Sequence, residues 1–210
     1  AAGDNGHLFI AAAGNDSNNN NSIPSYPANY SVSSTYQGVT YDPVVSVASI
    51  TSTGALSSFS NYGATTVDLA APGSQIASTF AGDQYFDSGY TYLYLNGTSM
   101  ATPHVTGAAA LIASEFPGLH PADLRSAILG GVTTYSTLSG VVATGGTLNI
   151  PGSLSLVGPA PIVTINDTLL TLADAAATVT FTFPEAVTGF TLADISVSTG
   201  HGSVSGLSTT

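Results

Sequence analysis

The strongest chemical signal in the chain is the segment Asn96-Gly97-Thr98-Ser99-Met100-Ala101-Thr102-Pro103-His104. A serine hydroxyl acts as a nucleophile when a base can take its proton and fixed donors can hold the oxyanion that forms. Here the serine lies between a glycine turn and a run of small residues that reads as a helix. The first turn of a helix presents unpaired N–H groups and the positive end of its dipole. Glycine lets the backbone come close to a substrate. The spacing is not that of the esterase elbow G-x-S-x-G, because Ala101 stands at its last position. A serine at a helix start is also an ordinary N-cap, so on these residues alone both readings stand.

A second segment, Ala11-Ala12-Ala13-Gly14-Asn15, ends a short apolar run in an asparagine. The C-terminal ends of parallel strands are where open α/β sheets place their sites, and the Asn15 amide could donate to an oxyanion there. A turn asparagine is the alternative.

Positioning two such residues requires an α/β framework. Leu8–Ala13 is a continuous apolar run, which predicts a strand buried on both faces. Val44–Ile50 is a second strand. Val67–Ala70 and Ile76–Phe80 are two more, separated by a Pro72-Gly73 turn. Tyr90, Tyr92 and Tyr94 alternate with Thr91, Leu93 and Leu95, so a strand is expected with its tyrosines on one face. One helix is predicted from Ser99 to about Ala113, with Pro103 tolerated only in its first turn. Another is predicted over Pro121–Leu129, started by Pro121 and Asp123, capped by His120 and stopped by Gly130-Gly131. Residues 16–22, with four consecutive asparagines (Asn18 to Asn21), read as a solvated loop. The opening Ala1–Gly6 reads like the end of a helix, so the numbering is expected to begin inside a domain. The composition changes near Pro159-Ala160-Pro161. Beyond it, Ile162–Ile165, Leu169–Leu172, Thr178–Phe183 and Phe190–Val197 are strand-like, as in a β-sandwich. That is about four strands where such a sandwich needs roughly seven, so this domain also reads as partial. The expected division is 1–157 and 158–210.

Composition removes other functions. The 210 residues hold one Lys or Arg, Arg125, against 12 Asp and Glu, a formal charge of −11. A nucleic-acid surface or a polybasic membrane surface needs clustered cations, so neither is expected. There is no Cys, hence no disulfide and no thiolate metal site. No apolar run approaches the ~18 residues of a membrane span.

Taken together, Ala11-Ala12-Ala13-Gly14-Asn15, Ser58-Phe59-Ser60-Asn61-Tyr62-Gly63, Ala71-Pro72-Gly73 and Gly97-Thr98-Ser99-Met100-Ala101-Thr102-Pro103-His104-Val105 resemble the subtilisin-like serine peptidases, in that family's order. Gly146-Thr147-Leu148-Asn149 resembles that domain's close. The resemblance implies a parallel sheet with flanking helices and a serine endopeptidase acting on proteins or peptides. It implies Ser99 as nucleophile and Asn15 as side-chain oxyanion donor, with the Ser99 N–H as second donor and Thr98 assisting. Ala12, Ala13 and Gly14 match one wall of the pocket for the residue before the scissile bond. In relatives, deleting such an asparagine is established to cost about 10²–10³ in turnover.

The departures are as informative. The family orders its triad Asp, His, Ser, and neither the Asp motif nor a His-Gly-Thr-His motif occurs here. His7, His104, His120 and His201 all lack the context of a general base. The chain therefore reads as the C-terminal part of the catalytic domain, inactive alone, with the triad Asp and His upstream. No cofactor is required for the chemistry. A structural Ca²⁺ held by the carbonyls of Pro43 and Val45 and the carboxylate of Asp68 is implied by some members, and oxygen ligands suit that ion. Residues 161–210 resemble a bacterial Ig-like repeat, which implies a spacer or a module contacting a cell surface or matrix, and a secreted or cell-surface location. The alternative is an inactive surface adhesion or structural protein keeping the fold. A lipase is disfavoured by Ala101 and the helix context of Ser99.

Overall fold

The computed structural model describes residues 2–79, 92–157, 162–165, 178–182, 191, 195, 205 and 206. The chain divides into two compact units, Ala1–Gly158 and Pro159–Thr210.

In the first unit the strands are β1 (Phe9–Ala12), β2 (Ser34–Tyr36), β3 (Val39–Tyr41), β4 (Val44–Ile50), β5 (Leu69–Pro72), β6 (Ile76–Thr79) and β7 (Tyr92–Leu95). Helices α1 (Thr98–Glu115) and α2 (Pro121–Gly130) follow, then β8 (Thr133–Thr134), β9 (Gly146–Thr147) and α3 (Ile150–Leu156). One sheet runs β1-β4-β5-β9-β8. Its first three neighbouring pairs are parallel and β8 returns antiparallel to β9. Two hairpins, β2-β3 and β6-β7, stand apart from it.

β4 is buried at every position, as its β-branched run requires. Its alternate side chains supply two cores. Val45 and Val47 join Leu69, Ala71, Ala101, Val105, Ile112 and Ile128 beneath the helices. Ala48 and Ile50 join Ala13, Val67, Ala70, Leu138 and Val142 on the other face. Ala101, Ala108 and Ala109 line the buried stripe of α1 and bring that helix close to the sheet. Gly107 and Ala110 are exposed, so not every small residue of α1 serves this approach.

Three expectations need correction. β1 forms the edge of the sheet among the described residues, and Phe9 is 50% exposed rather than buried on both faces. Pro103 lies in the second turn of α1, not the first. It leaves the Ser99 carbonyl without an i+4 donor, and the helix continues because its remaining ladder and its apolar face outweigh that loss. The asparagine-rich loop is not simply solvated, because Asn20 is 1% exposed. Tyr92 and Tyr94 share one face of β7, as expected, and both are exposed; Tyr90 lies outside the described residues.

In the second unit, β10 (Ile162–Ile165) pairs antiparallel with β11 (Val179–Thr182). The remaining expected strands, Leu169–Leu172 and most of Phe190–Val197, lie outside the described residues.

Candidate active site

Gly97 opens the site. Its N–H donates to Gly73 O at 2.9 Å. The preceding Asn96 accepts from the Gln75 N–H through Oδ1 at 2.8 Å. The segment that follows β5, Gly73 to Gln75, thus seats the start of α1. A side chain on Gly73 would run into Ser49 and Gly97, so only glycine permits this approach.

The first turn of α1 then distributes its N–H groups. The Thr98 N–H donates to Asn15 Oδ1 at 2.9 Å. Those of Met100 and Ala101 turn back to Gly97 O at 3.0 and 3.3 Å. The Ser99 N–H has no such partner among the described residues, and Ser99 itself is exposed.

Asn15 follows Gly14, just past the C-terminal end of β1. Its Oδ1 accepts twice from Thr98, from the N–H and from the hydroxyl at 3.0 Å. Two donors on one atom identify that atom as the oxygen, so Nδ2 is left to donate outward. The Thr98 hydroxyl also accepts from the Gly14 N–H at 3.3 Å. A methyl built on Gly97 would lie 3.6 Å from the Ser99 nitrogen and 3.7 Å from Asn15 Nδ2. Two N–H donors from separate elements therefore border one small space beside the serine, at the positive end of a helix.

The other expected pocket residues differ. Ala12 and Gly14 are partly open. Ala13 is fully buried, its methyl in the core, its N–H given to Val47 O and its carbonyl taken by Asn20. Its N–H and carbonyl are both engaged within the fold.

No described histidine forms a hydrogen bond with Ser99. His104 Nδ1 donates to Met100 O in its own helix at 2.9 Å. His120 caps α2, its Nδ1 accepting from the Ala122 N–H at 3.1 Å and its Nε2 donating to Tyr36 O at 2.9 Å. His7 is exposed at the entrance to β1.

The Ca²⁺ expectation is corrected by the donors themselves. Asp68 Oδ1 pairs with Arg125 at 2.9 Å and Oδ2 accepts from the Ser46 N–H at 2.7 Å. Pro43 O accepts from the Phe9 N–H at 2.7 Å, and Val45 lies within the sheet ladder. A guanidinium already neutralises the carboxylate, so Pro43, Val45 and Asp68 do not form a cation cage. No cluster of three or more His, Asp or Glu that could hold a metal occurs among the described residues. Burial raises the Asp68 carboxyl above its ordinary value, with the Ser46 N–H and Arg125 opposing.

Asn20 and Asn61 were not legible as site residues. Both are 1% exposed and bonded to each other, Asn61 Nδ2 donating to Asn20 Oδ1 at 3.0 Å. The usable signal was the position of Asn61 inside the Ser58–Gly63 motif.

A parallel sheet, a helix-borne serine and a facing asparagine amide define an α/β domain of the serine-peptidase kind. Comparison with known proteins agrees. Residues 1–152 match the subtilase family and residues 156–210 match a bacterial Ig-like domain. The chain belongs to the subtilase family. Thermitase of Thermoactinomyces vulgaris is 41% identical over 136 residues, covering 62% of this chain and 40% of that protein. An extracellular protease of Xanthomonas campestris is 40% identical over 123 residues, covering 58% and 19%. A solved protease structure from Pseudoalteromonas arctica superposes with a TM-score of 0.58 at 31% identity, covering 72% of this chain and 43% of that one. The chain spans less than half the length of these relatives. No helix among the described residues is long and apolar enough to cross a membrane.

Proposed function

We propose that these residues belong to a serine endopeptidase that hydrolyses peptide bonds through an acyl-enzyme on Ser99. The observation that carries this reading is the nearness of the Ser99 nitrogen and Asn15 Nδ2 to one point beside Gly97, with the Asn15 oxygen committed to Thr98. In that arrangement the amide can only donate toward the site. The Ser99 hydroxyl attacks the carbonyl carbon, its proton passing to a histidine held by an aspartate, both outside these 210 residues. Asn15 and the Ser99 N–H hold the tetrahedral oxyanion, and collapse expels the amine with the same proton. Water then repeats the sequence on the acyl-enzyme. Ala12 and Gly14 border the side chain before the scissile bond, and the reaction needs no cofactor. The Ig-like unit serves as a spacer or surface-contacting module, and the protein acts outside the cell, in keeping with the extracellular relative.

The test is covalent labelling of the full-length protein by a fluorophosphonate. Labelling is expected in the wild type and absent in Ser99→Ala. A folded wild-type protein that neither labels nor cleaves casein would instead favour a surface protein that keeps the fold without activity.

A further inference from the structure

We propose that Asn61 is a positioning residue for the Asn15 oxyanion donor, an inference that rests on the reading of Asn15 given above. Asn15 is exposed; Thr98 holds the end of its side chain, and its backbone needs a separate support. Asn61 supplies it from both sides. Its N–H donates to Gly14 O at 2.9 Å, immediately before Asn15. Its Oδ1 accepts from the Asp16 N–H at 2.8 Å, immediately after Asn15, and from the Asn18 N–H at 3.1 Å.

The clamp is self-consistent in donors and acceptors. Ala13 O can only accept, so Asn20 must turn its Nδ2 toward it, at 2.8 Å. Asn20 Oδ1 then faces Asn61 and must receive its Nδ2. Asn61 Oδ1 is left for two backbone N–H groups, which can only donate. A serine lacks the second polar atom. An aspartate keeps the acceptor but sets an oxygen against Asn20 Oδ1. Asparagine alone meets every contact.

The clamp is also anchored. The Ser49 N–H, at the end of β4, donates to Ser60 Oγ at 2.9 Å, and that hydroxyl donates to Asn61 O at 2.8 Å. The fully buried β4 thereby sets the position of Asn61. Gly14 has φ +116°, and a side chain there would run into the Asn61 amide. Thr98 orients the Asn15 amide group, whereas Asn61 places the backbone from which it projects.

A kinetic double-mutant cycle on a chromogenic peptide tests this, in the full-length protein. Asn61→Ala is expected to lower kcat about 10–30-fold with KM within about twofold, since misplacing a donor by a fraction of an ångström acts on the transition state. In an Asn15→Ala background the same substitution should cost less than about twofold, because the donor it positions is gone. Equal losses in both backgrounds, or a loss confined to KM, would overturn the proposal. Should Asn61→Ala not accumulate folded, Asn61→Ser takes its place in the cycle with the same expected outcomes. Unchanged turnover in Asn15→Ala alone would sink the oxyanion reading itself. A slow Asn15→Ala beside a fast Asn61→Ala would sink only this inference.

Discussion

Arg125, the one Lys or Arg in 210 residues, is spent on Asp68, at 2.9 Å. The pair joins α2 to the residue just before β5, and Arg125 Nε also reaches Val44 O at 3.4 Å. Arg125→Met keeps the apolar stem and removes the charge, leaving the Asp68 carboxylate with the Ser46 N–H. Breaking a fully buried pair costs about 3–5 kcal/mol. These side chains are 23% and 20% exposed, so solvent screens part of the effect and about 2 kcal/mol is expected. Urea denaturation of the two proteins measures it, and equal midpoints would contradict it.

The same carboxylate gives a pH dependence of defined sign. Burial is the largest influence on Asp68 and raises its carboxyl above the ordinary 3.8. A carboxyl with a higher pKa folded than unfolded binds its proton more tightly in the native state. Its contribution is favourable below the unfolded value and is lost as pH climbs through the raised one. Asp68→Asn removes that component. The stability of wild type minus variant should therefore fall as pH rises from below the ordinary carboxylate value through the raised one. A difference that grows with pH would refute the assignment.

Calcium supplies a separate check on Asp68. Because its two oxygens are held by Arg125 and Ser46, whatever calcium adds to the melting temperature of the full-length protein should survive Asp68→Asn unchanged. Disappearance of the calcium response in that variant would make Asp68 a ligand after all.

How far the sequence discloses the molecule depends on the distance over which each feature is decided. β4 was legible because a β-branched run declares itself locally, and α2 because Pro121 and Asp123 mark its start. Ser99 and Asn15 stand out as candidates through the short segments around them. Only the family resemblance joins them in one site, since the Thr98–Asn15 bonds span 83 positions. The four-asparagine loop misled for the same reason. Asn20 is polar and has polar neighbours, so nothing local predicts its burial; that follows from Asn61, 41 positions away. The exposure of Phe9 depends on which strand adjoins β1, which the residues of β1 do not encode.

His120 joins a hairpin to a helix through both ring nitrogens. Nδ1 caps α2 by accepting from Ala122, and Nε2 donates to Tyr36 O, so the neutral ring carries its proton on Nε2. His120→Ala loses both contacts and is expected to cost about 1–2 kcal/mol. His120→Asn, itself a good N-cap, should recover about half of that by restoring the Ala122 contact alone. Chemical denaturation distinguishes them; an asparagine variant no better than alanine would show that the cap contributes little.

The hydroxyl of Thr98 is fully buried and shared between Asn15 Oδ1 and the Gly14 N–H. Thr98→Val is close in volume and keeps the N–H bond to Asn15, so the fold should tolerate it. It removes one of the two bonds that turn the Asn15 amide outward. One such bond is worth about 1–1.5 kcal/mol, which at the transition state corresponds to roughly a tenfold fall in kcat. KM should stay within about twofold, because the oxyanion exists only once the carbonyl has been attacked. Thr98→Ser, which restores the hydroxyl, should recover most of the turnover. A rise in KM at constant kcat would instead place the hydroxyl in ground-state binding and remove it from the oxyanion hole.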